Sequence, residues 1–400
     1  MITSSQANKI PVETGSLETQ LLLCLTRTEM NSQTAEAIEN LLRQNINWAE
    51  LIEIAKQHKV MPLVYQSLKD TCPNAVPKNI LDNLQLFFKK NLRRNLLLTS
   101  ELLKLVDLFK KHKIPVIAFK GPTLTALAYG NLALREIQDL DILVHESDFV
   151  KAEQLLISYG YWLRVRVPWE AHYQRNDLYS LDLHQDIVPK HLSCFSSSNY
   201  LWEHIEFISL SGINVLTLSL ETSLIVLCLN GTKECWQNLN RICDVAELLR
   251  SHPNIDWERL IIKINKLRCK RLVLVGIFIS SNFLDIPLND TILRHIKADR
   301  VAQSIAENIK KRLFSQAISP IEEVERTIFH IRTREDWQDK VKSFIGLMKH
   351  SGWMNITKND RDFIHLPNYF TFVYYLIRPL RISLKYSSIL AQRFYVRDHS

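Results

Sequence analysis

The sequence predicts an α+β fold, a mixed-sheet core flanked by N-terminal and C-terminal helical regions, and three observations predict it. From Ser16 to Thr99 apolar residues recur at helical spacing. Between Ser100 and Leu218 short strand-like runs take over, with PVIAF at 115–119, DLDILV at 139–144 and YSLDLHQDI at 179–187. From Glu221 onward the pattern is helical again. The expected organisation is a helical region over 1–99, an α/β core over 100–218 and a second helical region over 219–400.

In the first region, Asn47-Trp48-Ala49-Glu50 reads as a capped helix start, with Asn47 accepting from the first turn and Glu50 reaching back. Leu51, Ile54 and Ala55 follow on one face, and prolines at 62, 73 and 77 punctuate the helices. In the core, Ser100 can cap a helix whose Leu102, Leu105, Val106 and Phe109 share an apolar face. The continuously apolar run 115–119 suits a buried strand. A helix is expected over Pro122–Tyr129, since proline at the first helical position loses no hydrogen bond there, and Gly130 ends it.

Asp139–Val144 reads as a second strand. Ser147 then caps a helix with Ala152, Leu155, Leu156 and Tyr159 on one side and Gly160 at its end. Tyr161–Val167 and Tyr179–Ile187 read as further strands, and 205–218 as a hairpin turning at Ser211-Gly212.

Composition narrows the class. Apolar residues make up 46% and charged residues 23% of the 400, an ordinary globular balance. The seven cysteines form no C-x-x-C pair, so neither a zinc site nor a disulfide framework is suggested, and a reducing cytoplasm is expected. Met1–Gln20 is polar and lacks a signal-peptide core, and the longest tail run, Phe370–Ile377, is far short of a membrane span. The net charge is +8, and residues 331–400 carry twelve Lys/Arg against six Asp/Glu. That basic tail makes nucleic acid a candidate partner, although a solvated face is the commoner meaning of such an excess. Hydrolase elbows, zinc-protease helices, Walker A loops and dinucleotide fingerprints are all missing from the sequence.

The chemistry lies in FKGPTLTALAYGNLALREIQDLDILV, residues 119–144. A buried strand running into Lys120-Gly121 and then a helix gathers free N–H groups and the positive helix end at one point, which suits a phosphate. Lys120 can add a point charge. Residues i and i+2 of a strand share a face, so Asp139 and Asp141 converge while Leu140 points into the core. Two adjacent carboxylates repel unless a cation lies between them, and oxygen ligands with open positions suit Mg²⁺. Asp182, on another strand with the same alternation, is the third carboxylate, with His184 two residues along on the same face. Arg135, four residues before the acidic pair, either binds phosphate or braces the loop. The tryptophans at 162, 169, 202 and 236, with Tyr129, are read as core rather than as base-stacking platforms.

This ordered set resembles the DNA-polymerase-β-like nucleotidyltransferase superfamily, and more closely its uncharacterised bacterial nucleotidyltransferases with flanking helices. Lys120, Gly121, Pro122, Leu124, Tyr129, Arg135, Asp139, Asp141, Leu143 and Val144 match the first half of that pattern, and Leu181-Asp182-Leu183-His184 match the later strand. The resemblance extends to the C-terminal LIRPLRISLKY stretch, but its specificity lies in 119–184. It implies metal binding and catalysis by Asp139, Asp141 and Asp182, and nucleotide contact around Lys120, Gly121, Thr123, Arg135 and His184. Two departures stand out. Pro122 follows the glycine where such enzymes carry serine or another small residue, so Thr123 or Thr125 is expected to supply the hydroxyl. Asn230 and Glu234 stand where the family tends to have histidine, while Lys233, Trp236, Arg241 and Asp244 are kept.

The expected activity is Mg²⁺- or Mn²⁺-dependent transfer of an NMP group from an NTP, ATP first among them, with release of pyrophosphate. The acceptor is a small molecule, an RNA or a protein. The competing reading is a non-catalytic, antitoxin-like or regulatory binding protein on the same fold.

Overall fold

Among the described residues seven strands organise the core: β1 (Val116–Ala118), β2 (Leu140–Val144), β3 (Trp162–Val167), β4 (Glu170–Arg175), β5 (Tyr179–His184), β6 (Ile205–Leu210) and β7 (Ile213–Leu218). The first five form a mixed sheet in the order β1-β2-β5-β4-β3, and β6 and β7 form a separate hairpin. β2 and β5 run parallel, whereas every other pairing in the sheet is antiparallel. The structure is a computed structural model and describes residues 15–195, 199–314, 321, 323–350, 364 and 373. Two compact units are present, Met1–Lys340 and Val341–Ser400, and the sheet belongs to the first. Of the second unit, 341–350 continues in helical conformation. The stretches Phe370–Ile377 and LIRPLRISLKY lie outside the described residues, apart from position 373.

Apolar alternation sorts the two faces of the sheet. Leu98, Leu102, Leu105 and Phe109 of the helix Lys78–Lys111 pack with Ile142, Val144, Tyr173, Leu181 and Leu183, all essentially solvent-free. Each such side chain contributes roughly 1.5–3 kcal/mol by leaving water, which is ample to hold the helix under the sheet. The helix Phe149–Ser158 adds Phe149, Ala152 and Leu156 to the same core. On the other side Ile117, Phe119 and Leu143 join a larger core built from the N-terminal helices and from Leu220–Lys233, Leu239–Ser251 and Lys270–Leu284.

The structure redraws several expected boundaries. The helix Lys78–Lys111 runs unbroken through Ser100, which is mid-helix and caps nothing. Its apolar face simply continues through that position, so a serine there stops nothing. Ser147 lies in a short 3₁₀ turn, Glu146–Asp148, before the helix Phe149–Ser158, whose cap residue Asp148 makes no side-chain capping bond. Asn47 does cap the helix Trp48–Gln57, accepting from Glu50 N–H at 3.2 Å. Its own backbone N–H donates to Glu18 at 2.8 Å. Strand β4 has no counterpart among the strands the sequence predicts, and it carries two residues of the site. The helix at Gly121–Leu124 continues as a π turn, Thr125–Tyr129, and ends at Gly130 with φ +64°.

Candidate active site

Strand register assembles the acidic cluster. Asp141 on β2 pairs with Asp182 on β5, and Asp182 pairs in turn with His172 on β4, so the three form one row across the sheet. One step along, His184 pairs with Glu170. All four β5 and β4 side chains lie on the face opposite Leu181, Leu183, Ala171 and Tyr173, as a period of two requires. Asp139 sits one residue before β2 begins, rather than inside the strand. Leu140 between the two acids is fully buried, as the alternation predicts.

Asp141, Asp182 and Glu170 each have a defined partner. The Lys120 ammonium donates to Asp141 Oδ1 at 3.0 Å, and His184 Nε2 lies 3.2 Å from the same oxygen. His184 Nδ1 lies 3.1 Å from Glu170 Oε2, which places the imidazole between two carboxylates. His172 Nδ1 is 2.6 Å from Asp182 Oδ1, and its Nε2 is 3.5 Å from Glu170 Oε1. Lys233 reaches Glu170 more loosely, at 3.7 Å. Oxygens of Asp141 and Asp182 and a ring nitrogen of His184 all lie within 4.8 Å of one another.

Burial and crowding push the acids apart in proton affinity. Desolvation, reinforced by the neighbouring charges of Asp141 and Asp139, raises Asp182 to about 6. Desolvation likewise raises Asp139, with Asp141 adding to it. For Asp141 burial acts in the same direction, but Lys120 and His184 more than offset it and hold the carboxyl far below the ordinary range. Glu136, at the rim, is raised to about 7 by desolvation.

Backbone geometry explains the Lys120-Gly121 junction. Gly121 has φ +55°, and a Cβ there would lie 3.1 Å from the Asp139 carbonyl oxygen. Only glycine allows that backbone to lie so close to the acidic segment. The Thr123 hydroxyl is 2.7 Å from the Lys120 carbonyl and 3.1 Å from that of Ala118, and Thr125 donates to the Gly121 carbonyl at 2.8 Å. Both hydroxyls therefore tie the turn together from beneath and are fully buried.

Lys120, Arg135, Asp139, Asp141 and Asp182 all line one polar cleft of about 180 Å³. Thr123 and Gly121 lie behind it, and His184 is buried against Asp141. Arg135 reaches the cleft but spends its guanidinium on Asp244, with Nε 2.7 Å from Oδ1 and Nη2 3.0 Å from Oδ2. The Tyr129 hydroxyl donates to the same Asp244 at 2.8 Å. Sequence reasoning missed Glu170 and His172. The alternation Glu170-Ala171-His172-Tyr173 is the signal, but glutamate and alanine are disfavoured in strands and hide it.

The donor set suits a divalent cation. Asp141, Asp182 and His184 bring two carboxylate oxygens and a ring nitrogen within 4.8 Å of one another, and Asp139 lines the same cleft. The histidine nitrogens hydrogen-bond to carboxylates, which suits orientation of ligands better than ligation.

A mixed sheet presenting carboxylates at neighbouring strand positions, flanked by helices, defines the nucleotidyltransferase fold. The chain belongs to the family described as uncharacterised nucleotidyltransferase, whose model matches residues 44–285. In a search of curated proteins none matches the chain. Among solved structures, the lincomycin-bound lincosamide antibiotic adenylyltransferase LnuA is similar at 20% identity, over 32% of this chain and 83% of that one, with a TM-score of 0.26. Among the described residues no helix is long and apolar enough to cross a membrane.

Proposed function

We propose that the protein transfers the NMP group of an NTP, ATP first among them, to a hydroxyl or phosphate of a small molecule, an RNA end or a protein side chain. The observation that carries this reading is the placement of Asp141 and Asp182 side by side on parallel neighbours, with Asp139 one residue before the first. Asp139, Asp141 and Asp182 would hold Mg²⁺ or Mn²⁺, which when bound neutralises phosphate charge and lowers the pKa of an attacking hydroxyl.

The chain's own groups supply the rest. Asp182, raised to about 6, is tuned to take the acceptor's proton near neutrality, and His172 holds its carboxylate in place. The acceptor oxygen forms a bond to the α-phosphorus as the bond to the β-phosphate oxygen breaks, and pyrophosphate carries away the electron pair. Lys120 balances the charge of Asp141, so the site does not carry all its negative charges unpaired. Gly121 lets the backbone approach the phosphates, and Pro122, lacking an N–H, offers no further donor there.

Calorimetry with ATP and GTP, with and without Mg²⁺, tests the reading on wild type and on the Asp139→Ala/Asp141→Ala double variant. The expected result is magnesium-dependent binding that the double variant loses. A folded wild type that binds neither nucleotide would shift the weight to a non-catalytic binding protein on this fold.

A further inference from the structure

Resting on that reading, we propose that Asn230, Lys233 and Arg241, on the helical side of the cleft, form the subsite for the β- and γ-phosphates, the part of the nucleotide that leaves as pyrophosphate. Two helices supply these residues, Leu220–Lys233 and Leu239–Ser251, and all three line the same polar cleft as the carboxylates.

Unmet hydrogen-bonding capacity marks this wall. Asn230 is only 4% exposed, and its side-chain Nδ2 has no acceptor among the described residues. A buried amide donor without a partner calls for one, and in Asn230 it coincides with a residue that lines the cleft. The Arg241 guanidinium makes no hydrogen bond or ion pair among the described residues; Asp139 and Lys59 sense only its charge. Lys233 forms an ion pair with Glu170 at 3.7 Å, too long for a hydrogen bond. The other two cations of the cleft are committed, Lys120 to Asp141 and Arg135 to Asp244.

Two donors with no acceptor of their own, Asn230 and Arg241, beside a Lys233 that Glu170 holds only loosely, define an anion site. Size agrees: about 180 Å³ is below the roughly 300–1,000 Å³ of pockets that enclose whole ligands, so the cleft takes the phosphates and leaves base and sugar outside. Glu234, which also lines the cleft, is offset by Lys59, whose charge it favours.

The turn after Lys233 is built to hold it in place. Cys235 and Trp236 both take positive φ, 50° and 55°, a conformation costly for residues with a Cβ. It persists because the Trp236 ring is fully buried against Gly231, where any Cβ would lie 2.5 Å from ring carbons.

The test is calorimetry on the full chain with Mg²⁺ and four probes: ATP, ADP, AMP and inorganic pyrophosphate. Wild type is compared with Arg241→Ala, Arg241→Lys and Asn230→Ala, each checked for an unchanged melting profile. Arg241→Ala should weaken ATP and pyrophosphate binding about tenfold or more while AMP changes less than about twofold, and Arg241→Lys should recover part of the loss. Wild-type binding of Mg-ATP with Arg241→Ala and Asn230→Ala both matching it would overturn this subsite and leave the proposed function standing. A wild type that binds none of the four probes would overturn the proposed function itself, and the subsite with it.

Discussion

Arg135 and Asp244 form a two-pronged ion pair, Nε to Oδ1 at 2.7 Å and Nη2 to Oδ2 at 3.0 Å, that joins the segment before β2 to the helix Leu239–Ser251. Burial opposes the charge on Arg135, but Asp244 more than compensates and keeps the guanidinium protonated. The pair is nearly dry, at 10% and 1% side-chain exposure, and Tyr129 donates to the same carboxylate. Asp244→Ala would strand a buried cation, and breaking a pair of this kind costs roughly 3–5 kcal/mol. Urea unfolding should show that loss. Arg135→Lys, which cannot reproduce the two-pronged geometry, should lose part of it. An unchanged midpoint in Asp244→Ala would show that the pair braces nothing.

That pair also shows how far the sequence could be read. Arg135 as a phosphate ligand or as a brace was an open choice, because its partner lies more than a hundred positions away and no local pattern links them. The carboxylates were legible for the opposite reason. Asp141 and Asp182 each sit in a Leu-Asp-hydrophobic alternation that announces a strand with one buried face, and parallel pairing of the two strands then fixes their adjacency. β4 was illegible because its apolar residues, Ala171 and Tyr173, are too few against Glu170, Gln174 and Arg175 to set a period. The sequence divides the helix at Ser100, whereas the structure runs it through, because a good capping residue is also tolerated mid-helix when the surrounding face packs.

Asp182 should be a residue that costs stability. Its carboxyl is raised from 3.8 to about 6 by desolvation and by Asp141 and Asp139. The folded state therefore keeps a proton that the unfolded chain releases, so the contribution of Asp182 is favourable at low pH and is lost as pH rises through about 6. At neutral pH without divalent cation, Asp182→Asn should raise the unfolding free energy by roughly 1–3 kcal/mol. The same variant should lose the stabilisation that Mg²⁺ gives to wild type. Denaturant titrations with and without Mg²⁺ check both halves, and a destabilised Asp182→Asn would contradict the electrostatic account.

Gly121, just after β1, lies close against the backbone of the acidic segment. A Cβ would meet the Asp139 carbonyl at 3.1 Å, and the φ of +55° adds strain for any L side chain. Gly121→Ala should cost about 1–2 kcal/mol, from strain and from the shift the Asp139 carbonyl must make. Because that shift moves a proposed ligand, Mg²⁺-dependent nucleotide binding should fall further than the stability loss explains. Gly130→Ala is the control, since φ there is also positive, at +64°, but nothing lies within 4 Å of the added carbon. It should show the strain penalty with nucleotide binding kept.

His58 makes the helical wall of the cleft sensitive to acid. It is fully buried, its Nδ1 accepts from Leu239 N–H at 3.3 Å, and its carbonyl accepts from Asn240 N–H at 3.2 Å. Desolvation lowers it from 6.5 to about 4, so the folded protein holds the neutral ring. The unfolded chain takes up a proton first as pH falls. The stability that His58 contributes is therefore present above about 6.5 and is lost progressively toward about 4, amounting to roughly 3 kcal/mol. His330, buried and also lowered to about 4, adds to the slope in the same window. His58→Asn replaces the accepting nitrogen with a side-chain oxygen that cannot take up a proton in this range. Its unfolding midpoint should fall less steeply between pH 6.5 and 4 than that of wild type, with His330→Asn removing much of what is left. A His58→Asn curve parallel to wild type would mean that the ring is already solvated in the folded state.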